Sequence, residues 1–230
     1  MQQISRSIEP ESMFSEDKVV FMLGEELKQP LIAIKSLAEN TENTAIQLEA
    51  QRALRSIDNL LYYQQVARKQ QSLNFTTVHV GEAFTDVARN LRPLSLERGC
   101  ETEITIQSGI APVYADPTAL RLGIESLWQA IIAMTSKPSP LNWNMYRNDK
   151  LVRIVVINAS LDLAKVHFRK ETPRHIFSKQ PFSSIAGPAT DLLTSHGIVT
   201  MLGAKVSKVR REGMSGIAIT LPISNQLALV

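Results

Sequence analysis

Two apolar stripes near the start of the chain constrain its fold more than any other feature. Val20, Leu23, Leu27, Leu31, Ile34 and Ala38 recur at three- and four-residue steps. That spacing places side chains on one side of a helix. The segment Asn40-Thr41-Glu42-Asn43-Thr44 interrupts the pattern with turn and capping residues. A second stripe follows in Ile46, Ala50, Ala53, Ile57 and Leu60, and helical character runs to about residue 69. Residues 16–70 therefore read as a helical hairpin. A lone hairpin cannot bury both apolar faces, so the pattern predicts pairing with a second hairpin in an intermolecular four-helix bundle.

Composition narrows the class of molecule. The chain has 230 residues, of which 44% are hydrophobic and 20% charged, as expected for globular domains rather than disordered or fibrous chains. No apolar run approaches the roughly 20 residues of a membrane-spanning helix, and the first residues, Met1-Gln2-Gln3-Ile4-Ser5-Arg6, lack the apolar core of a signal peptide. A cytoplasmic location is the expectation. The single cysteine, Cys100, excludes an internal disulfide and a cysteine-rich zinc site. Its thiol is expected to be unreactive. A net charge of +3, spread in mixed signs along the chain, gives no strong reason to expect nucleic acid.

Residues 1–15 show little periodicity and read as a flexible lead. From residue 71 onward the period changes. Residues 76–80 read as a strand, 81–91 as a helix and 101–106 as an alternating strand. Asp116-Pro117 opens a strong helix carrying Leu120, Ile124, Leu127, Ile131 and Met134, since Asp is a good N-cap and Pro a good first residue. Strands follow at 141–147 and 151–158, then a less regular stretch over 162–188. A helix over 189–202 stops at Gly203, and a final hairpin pairs 205–209 with 216–222. The fold class is α+β: a two-helix dimerisation hairpin, then an α/β sandwich over 71–230.

Glu25-Glu26-Leu27-Lys28-Gln29-Pro30-Leu31 resembles the phosphoacceptor box of sensor histidine kinases, His-Glu-Leu-Arg/Lys-x-Pro-Leu, in six of seven positions. The exception is the phosphoacceptor histidine, where this chain has Glu25. The resemblance extends from about residue 17 to residue 223. Val113-Tyr114-Ala115-Asp116-Pro117 with Leu120 is similar to the family's lead into its long nucleotide-binding helix. Leu202-Gly203-Ala204-Lys205-Val206 is similar to its His-Gly-Gly-Lys-Ile, and the segment 216–223 to its closing strand. The resemblance implies a dimerisation hairpin followed by an ATP-binding domain.

The resemblance also marks what this chain lacks. Ala130 stands where the family has its Mg²⁺-coordinating asparagine, and Ser126 where another asparagine lies one turn earlier. Mg²⁺ needs hard oxygen ligands, and alanine supplies none. The family's adenine-reading aspartate and two glycines match Asn158, Ser160 and Asp162. Its second glycine box matches Ala189-Thr190-Asp191-Leu192. Glycines there let the backbone approach the ligand. An aspartate at Asp191 repels phosphate at a helix start that would otherwise attract it. The chain contains no Gly-x-Gly, so a shift of register restores neither box.

Each marked residue also has a plainer reading. Glu25 is either a charged stand-in for phosphohistidine or a solvated glutamate. Glu26 matches the family's general base but has no histidine to activate. Gly24 weakens its helix by about 1 kcal/mol and permits a bend beside Pro30. Lys165, Arg169, Lys170, Arg174 and Lys179, with His167 and His175, lie where the family has its ATP lid. They form either a basic docking loop for an acidic partner or a solvated loop. His79 and His196 read as structural or solvated. Trp128, Leu127 and Ile131 read as core, or as filling for the former nucleotide cavity.

The expectation is a histidine-kinase-like pseudokinase with no catalytic residue, no metal and no cofactor. It would dimerise through its hairpin and present Glu26, Leu27, Lys28 and Pro30 to a response-regulator receiver domain or to a partner histidine kinase. The alternatives are a phosphotransferase of the same fold, a divergent active kinase, and a ligand sensor using the remodelled pocket.

Overall fold

The computed structural model describes residues 16–161, 163, 188–211 and 213–223. The predicted hairpin is present as α1 (Glu16–Asn40) and α2 (Thr44–Ala67). The Asn43 side chain caps α2 by accepting from the Ile46 amide, which satisfies one of the donors a helix start leaves free. Helix α1 runs through Pro30.

The rest of the chain forms β1 (Thr76–Val78), α3 (Val80–Glu97), β2 (Thr102–Ile106), β3 (Val113–Ala115), α4 (Pro117–Met134), β4 (Leu141–Asn148), β5 (Leu151–Asn158), α5 (Pro188–Met201), β6 (Lys205–Arg211) and β7 (Met214–Pro222). Two of these elements differ from the sequence reading. Helix α3 continues to Glu97 through Pro93, because Leu91 and Leu94 still reach the core there. The Val113–Ala115 segment is a strand paired antiparallel with β1, not only a lead into α4.

Strands β2-β4-β5-β7-β6 form one sheet, with β2 parallel to β4 and the other pairs antiparallel. Alternation along the strands sends Trp143 and Met145 of β4, Ile154 and Val156 of β5, and Ile217 and Ile219 of β7 into the main core. Register places Trp143 opposite Val156 and Val156 opposite Ile217. Helices α3, α4 and α5, with Tyr63 of α2, supply the other half of that core. Val155, Ile157 and Ala218 point the other way, into a small second cluster. Trp128 of α4 stacks on Trp143 at a centroid distance of 4.4 Å and lies beside Phe84. It belongs to the main core.

The hairpin lies against this sandwich. One face of α2 meets α1, and another meets α3, α4 and α5. The two halves of the chain are therefore in contact along α2.

Candidate functional site

The box on α1 is largely exposed. Glu25, Glu26, Leu27 and Pro30 face solvent, while Lys28 is half-buried against α2. The Lys28 ammonium lies 2.6 Å from Asp58 and 2.9 Å from Glu25. Burial opposes its charge, but the hydrogen bonds to Asp58 and Glu25 outweigh that and raise its pKa. The apolar stripe of α1 divides in two. Gly24, Leu31 and Ala38 turn toward α2, whereas Val20, Leu23, Leu27, Ile34 and Leu37 stay exposed, Leu27 by 55% and Leu37 by 64%. Gly24 has a packing role: a Cβ there would lie 2.9 Å from Leu61 Cδ2 of α2.

Helix α4 is positioned by Asp116. Its carboxylate accepts from the Ala119 amide at 2.8 Å and from the Asn74 amide at 2.7 Å. Ser126 and Ala130, where the resemblance expects asparagines, are both fully buried. The Ser126 hydroxyl accepts from Asn59 Nδ2 of α2 at 3.0 Å. One residue before Ala130, Gln129 Oε1 accepts from the Ser56 hydroxyl at 3.4 Å. Glu125 lies 3.6 Å from Arg55 and 3.2 Å from Arg121. Burial raises its pKa, and the two arginines oppose the shift.

At the adenine position, Asn158 is buried and fully engaged. Its Nδ2 donates to the Ser139 carbonyl at 3.2 Å, to the Ser139 hydroxyl at 3.1 Å and to the Pro140 carbonyl at 2.8 Å. Its Oδ1 accepts from the Ser160 amide at 2.7 Å. The Ser160 carbonyl in turn accepts from the Ser136 hydroxyl at 3.1 Å. Asp162 and the basic stretch containing Lys165, Arg169, Lys170, Arg174 and Lys179 lie outside the described residues, as do His167 and His175.

Ala189 and Asp191 fall in the first turn of α5. Asp191 is only 1% exposed, and its Oδ2 lies 3.4 Å from Arg52 Nη1 of α2. Burial pushes its pKa up to about 6, against the pull of Ser56 and Arg52. Two turns along α5, Gly197 meets the ring of Tyr63. Burial pushes the Tyr63 phenol up to about 12 and the nearby His196 imidazole down.

Four α2 residues thus meet α4 and α5: Arg52 at Asp191, Ser56 at Gln129, Asn59 at Ser126, and Tyr63 at Gly197. Their spacing is helical, and they form an edge beside the apolar stripe. The sequence reading followed only the apolar stripe and missed them. The signal was a set of mostly polar residues recurring at four, three and four steps. A groove of about 530 Å³ lies elsewhere, between α3 and β2, lined by Arg89, Arg92, Leu96, Cys100 and Ile104 among others. None of the nucleotide-equivalent residues lines it. Burial raises the Cys100 pKa, which keeps it a thiol. Among the described residues no three His, Cys, Asp or Glu side chains gather as a metal site.

No protein-family model and no curated protein matches the chain. Solved structures do. The catalytic domain of histidine kinase ThkA matches with a TM-score of 0.51 at 18% identity, over 65% of this chain and 97% of that one. The Acinetobacter baumannii histidine kinase AdeS matches with a TM-score of 0.56 at 16% identity, over 91% of this chain and 98% of that one. Full-length ShkA, solved in complex with AMPPNP, matches with a TM-score of 0.60 at 16% identity, over 90% of this chain and 46% of that one. These likenesses establish that the chain has the fold of a histidine kinase core, an α+β arrangement of helical hairpin and ATP-binding-type domain. No described helix is long and apolar enough to cross a membrane.

Proposed function

We propose that this chain is a histidine-kinase-like signalling protein that works by binding rather than by phosphorylation. The observation that carries this reading is Asn158. Where the resembling family reads adenine, both ends of this amide are already taken within the protein. A nucleotide base would have to displace those bonds without a carboxylate to offer in return. Ala130 adds to the argument, because a fully buried methyl group offers Mg²⁺ no oxygen.

Binding would run through the hairpin. Val20, Leu23, Leu27, Pro30, Ile34 and Leu37 form an exposed line at alternating three- and four-residue steps. That is the seam pattern of packed helices, and its occupant in this reading is α1 of a second copy. Beyond the homodimer, Glu26 and Lys28, the residues of the box that lie off that line, would meet a response-regulator receiver domain or a partner histidine kinase, with charge setting association rate and partner choice.

The decisive experiment is calorimetric titration with ATP and Mg²⁺, followed by a binding screen against receiver domains. No heat with nucleotide and saturable binding to one receiver is the expected pair of results. Nucleotide binding at micromolar concentration would overturn the reading.

A further inference from the structure

Strands β2 and β6 are the two edges of the five-stranded sheet. An edge strand offers unpaired backbone groups to another chain, and proteins usually blunt it with positive charge, proline or a bulge. The β6 edge is blunted, since Lys205, Lys208, Arg210 and Arg211 lie along it. The β2 edge, Thr102-Glu103-Ile104-Thr105-Ile106, has no lysine, arginine or proline. Its pairing with β4 fixes which groups face out. The Glu101 carbonyl accepts from the Leu141 amide at 2.7 Å, and the Gln107 amide donates to the Met145 carbonyl at 2.9 Å. Alternation between those two bonds turns the amides and carbonyls of Thr102, Ile104 and Ile106 away from the sheet.

The side chains of the same three residues face the helical layer. Ile104 stands opposite Trp143, which points into the main core. Yet Ile104 and Ile106 are each 39% exposed, and Leu96 of α3 is 51% exposed. Between α3 and β2 runs the groove of about 530 Å³. Its lining holds polar groups that the fold leaves unused. Ser95 is 1% exposed, and its hydroxyl has no hydrogen-bond partner among the described residues. Thr85 of the same helix donates its hydroxyl to the Gly81 carbonyl one turn back, at 2.7 Å, but Ser95 makes no such bond. The Thr102 hydroxyl, also in the lining, is buried and unpartnered as well. Pro93 supplies no amide to the Arg89 carbonyl one turn earlier. Buried polar atoms of this kind cost stability until something pairs with them.

We propose that this groove docks an extended segment of a partner protein, which joins β2 as a further strand of the sheet. Main-chain bonds to Thr102, Ile104 and Ile106 hold it. Charge defines its chemistry. Side chains of an added strand alternate between the two faces of the sheet, as those of β2 do. On the groove side they meet Leu96, Ile104 and the exposed guanidinium groups of Arg89 and Arg92. They are therefore apolar, with a carboxylate for the arginines. On the opposite face they lie beside exposed Glu103 and are basic. A second copy of β2 is a poorer occupant. Two-fold pairing of this edge would bring Arg89 and Arg92 of both copies to one seam, where like charges repel. The site uses neither the box on α1 nor a nucleotide-equivalent residue, so it goes beyond the function proposed above and does not depend on it.

A random-peptide library displayed on phage supplies the probe. It is first depleted on the full chain carrying Ile104→Pro and then selected on the wild-type chain. Proline removes an outward amide at an edge position, where it is tolerated. The selected peptides should alternate apolar or acidic residues with basic ones. They should bind the Ile104→Pro chain about tenfold more weakly. Arg92→Glu should weaken them by a similar factor, most clearly at low salt. Hydrogen–deuterium exchange should show the bound peptide protecting the amides of Ile104 and Ile106 and leaving α1 unchanged. Methylation of the peptide's own backbone amides tests strand addition without altering the protein. Methyl groups on every second amide should abolish binding in one frame and leave it intact in the other, because alternate amides face β2. Equal effects in both frames, unprotected Ile104 and Ile106 amides, or no selected peptide at all would overturn the proposal. A wild-type tetramer that Ile104→Pro reduces to a dimer would give the edge to a second copy and overturn it too.

Discussion

The ring of Tyr63 on α2 occupies the space that a side chain at position 197 of α5 would need. A Cβ built on Gly197 would stand 2.6 Å from Tyr63 Cζ. Glycine inside a helix costs about 1 kcal/mol relative to alanine, and here it permits close helix contact. Gly24 does the same on the other side of α2, where its α-carbon faces Leu61. Helix α2 is thus approached by a glycine from α1 and by another from α5.

Dimerisation through α1 is the first expectation. Leu27 is exposed in a single chain, so Leu27→Asp should dissociate a dimer without unfolding the protomer. Light scattering should show the mass halve while the circular dichroism spectrum stays unchanged. A wild-type chain that is monomeric at micromolar concentration would refute the seam.

Nucleotide should leave the protein unmoved. A thermal scan with millimolar ATP and Mg²⁺ is expected to show no stabilisation, since binding to the folded state alone would raise the melting temperature. Restoring the family residue by Ala130→Asn should not rescue binding. The position is fully buried, and an unpaired amide there should cost about 1–3 kcal/mol of stability. A rise in melting temperature with ATP, in either protein, would contradict this.

Asn59 and Ser126 should be energetically coupled. Asn59→Ala leaves the buried Ser126 hydroxyl without its 3.0 Å partner, at a cost of about 1–3 kcal/mol in chemical denaturation. The double variant with Ser126→Ala should cost less than the sum of the single changes, with a coupling of about 0.5–3 kcal/mol. Strict additivity would mean that α2 and α4 do not meet in solution.

Glu25 should matter for recognition and little for stability. Its ion pair with Lys28 is exposed and Lys28 keeps Asp58, so Glu25→Gln should shift stability by no more than about 0.5 kcal/mol. If the carboxylate discourages an acidic receiver, the same change should speed association, most clearly at low salt. Glu25→His should gain no label from ATP, yet accept phosphate from a phosphorylated receiver that docks on this face. Labelling by ATP alone would refute the binding-only reading.

The sequence determined what local patterns can determine. Three- and four-residue spacing fixed two helices and the turn between them, because helical geometry makes those residues neighbours whatever surrounds them. Asp116-Pro117 marked the start of α4 through capping chemistry confined to a few residues. Alternation marked β2, and the box at 25–31 with its companion motifs carried the resemblance that the fold comparison bears out. Only the tertiary structure divided the α1 stripe into an inner row facing α2 and an outer row facing solvent. Periodicity shows that residues share a side of a helix, but not what lies against it. Only the tertiary structure joined Asn59 to Ser126, Arg52 to Asp191 and Asn158 to Ser139 and Pro140. Those contacts depend on how α2 is laid across α4 and α5 and on how β5 ends beside the segment 139–140. Such placements are set by packing of the whole core, and no short window of sequence contains them.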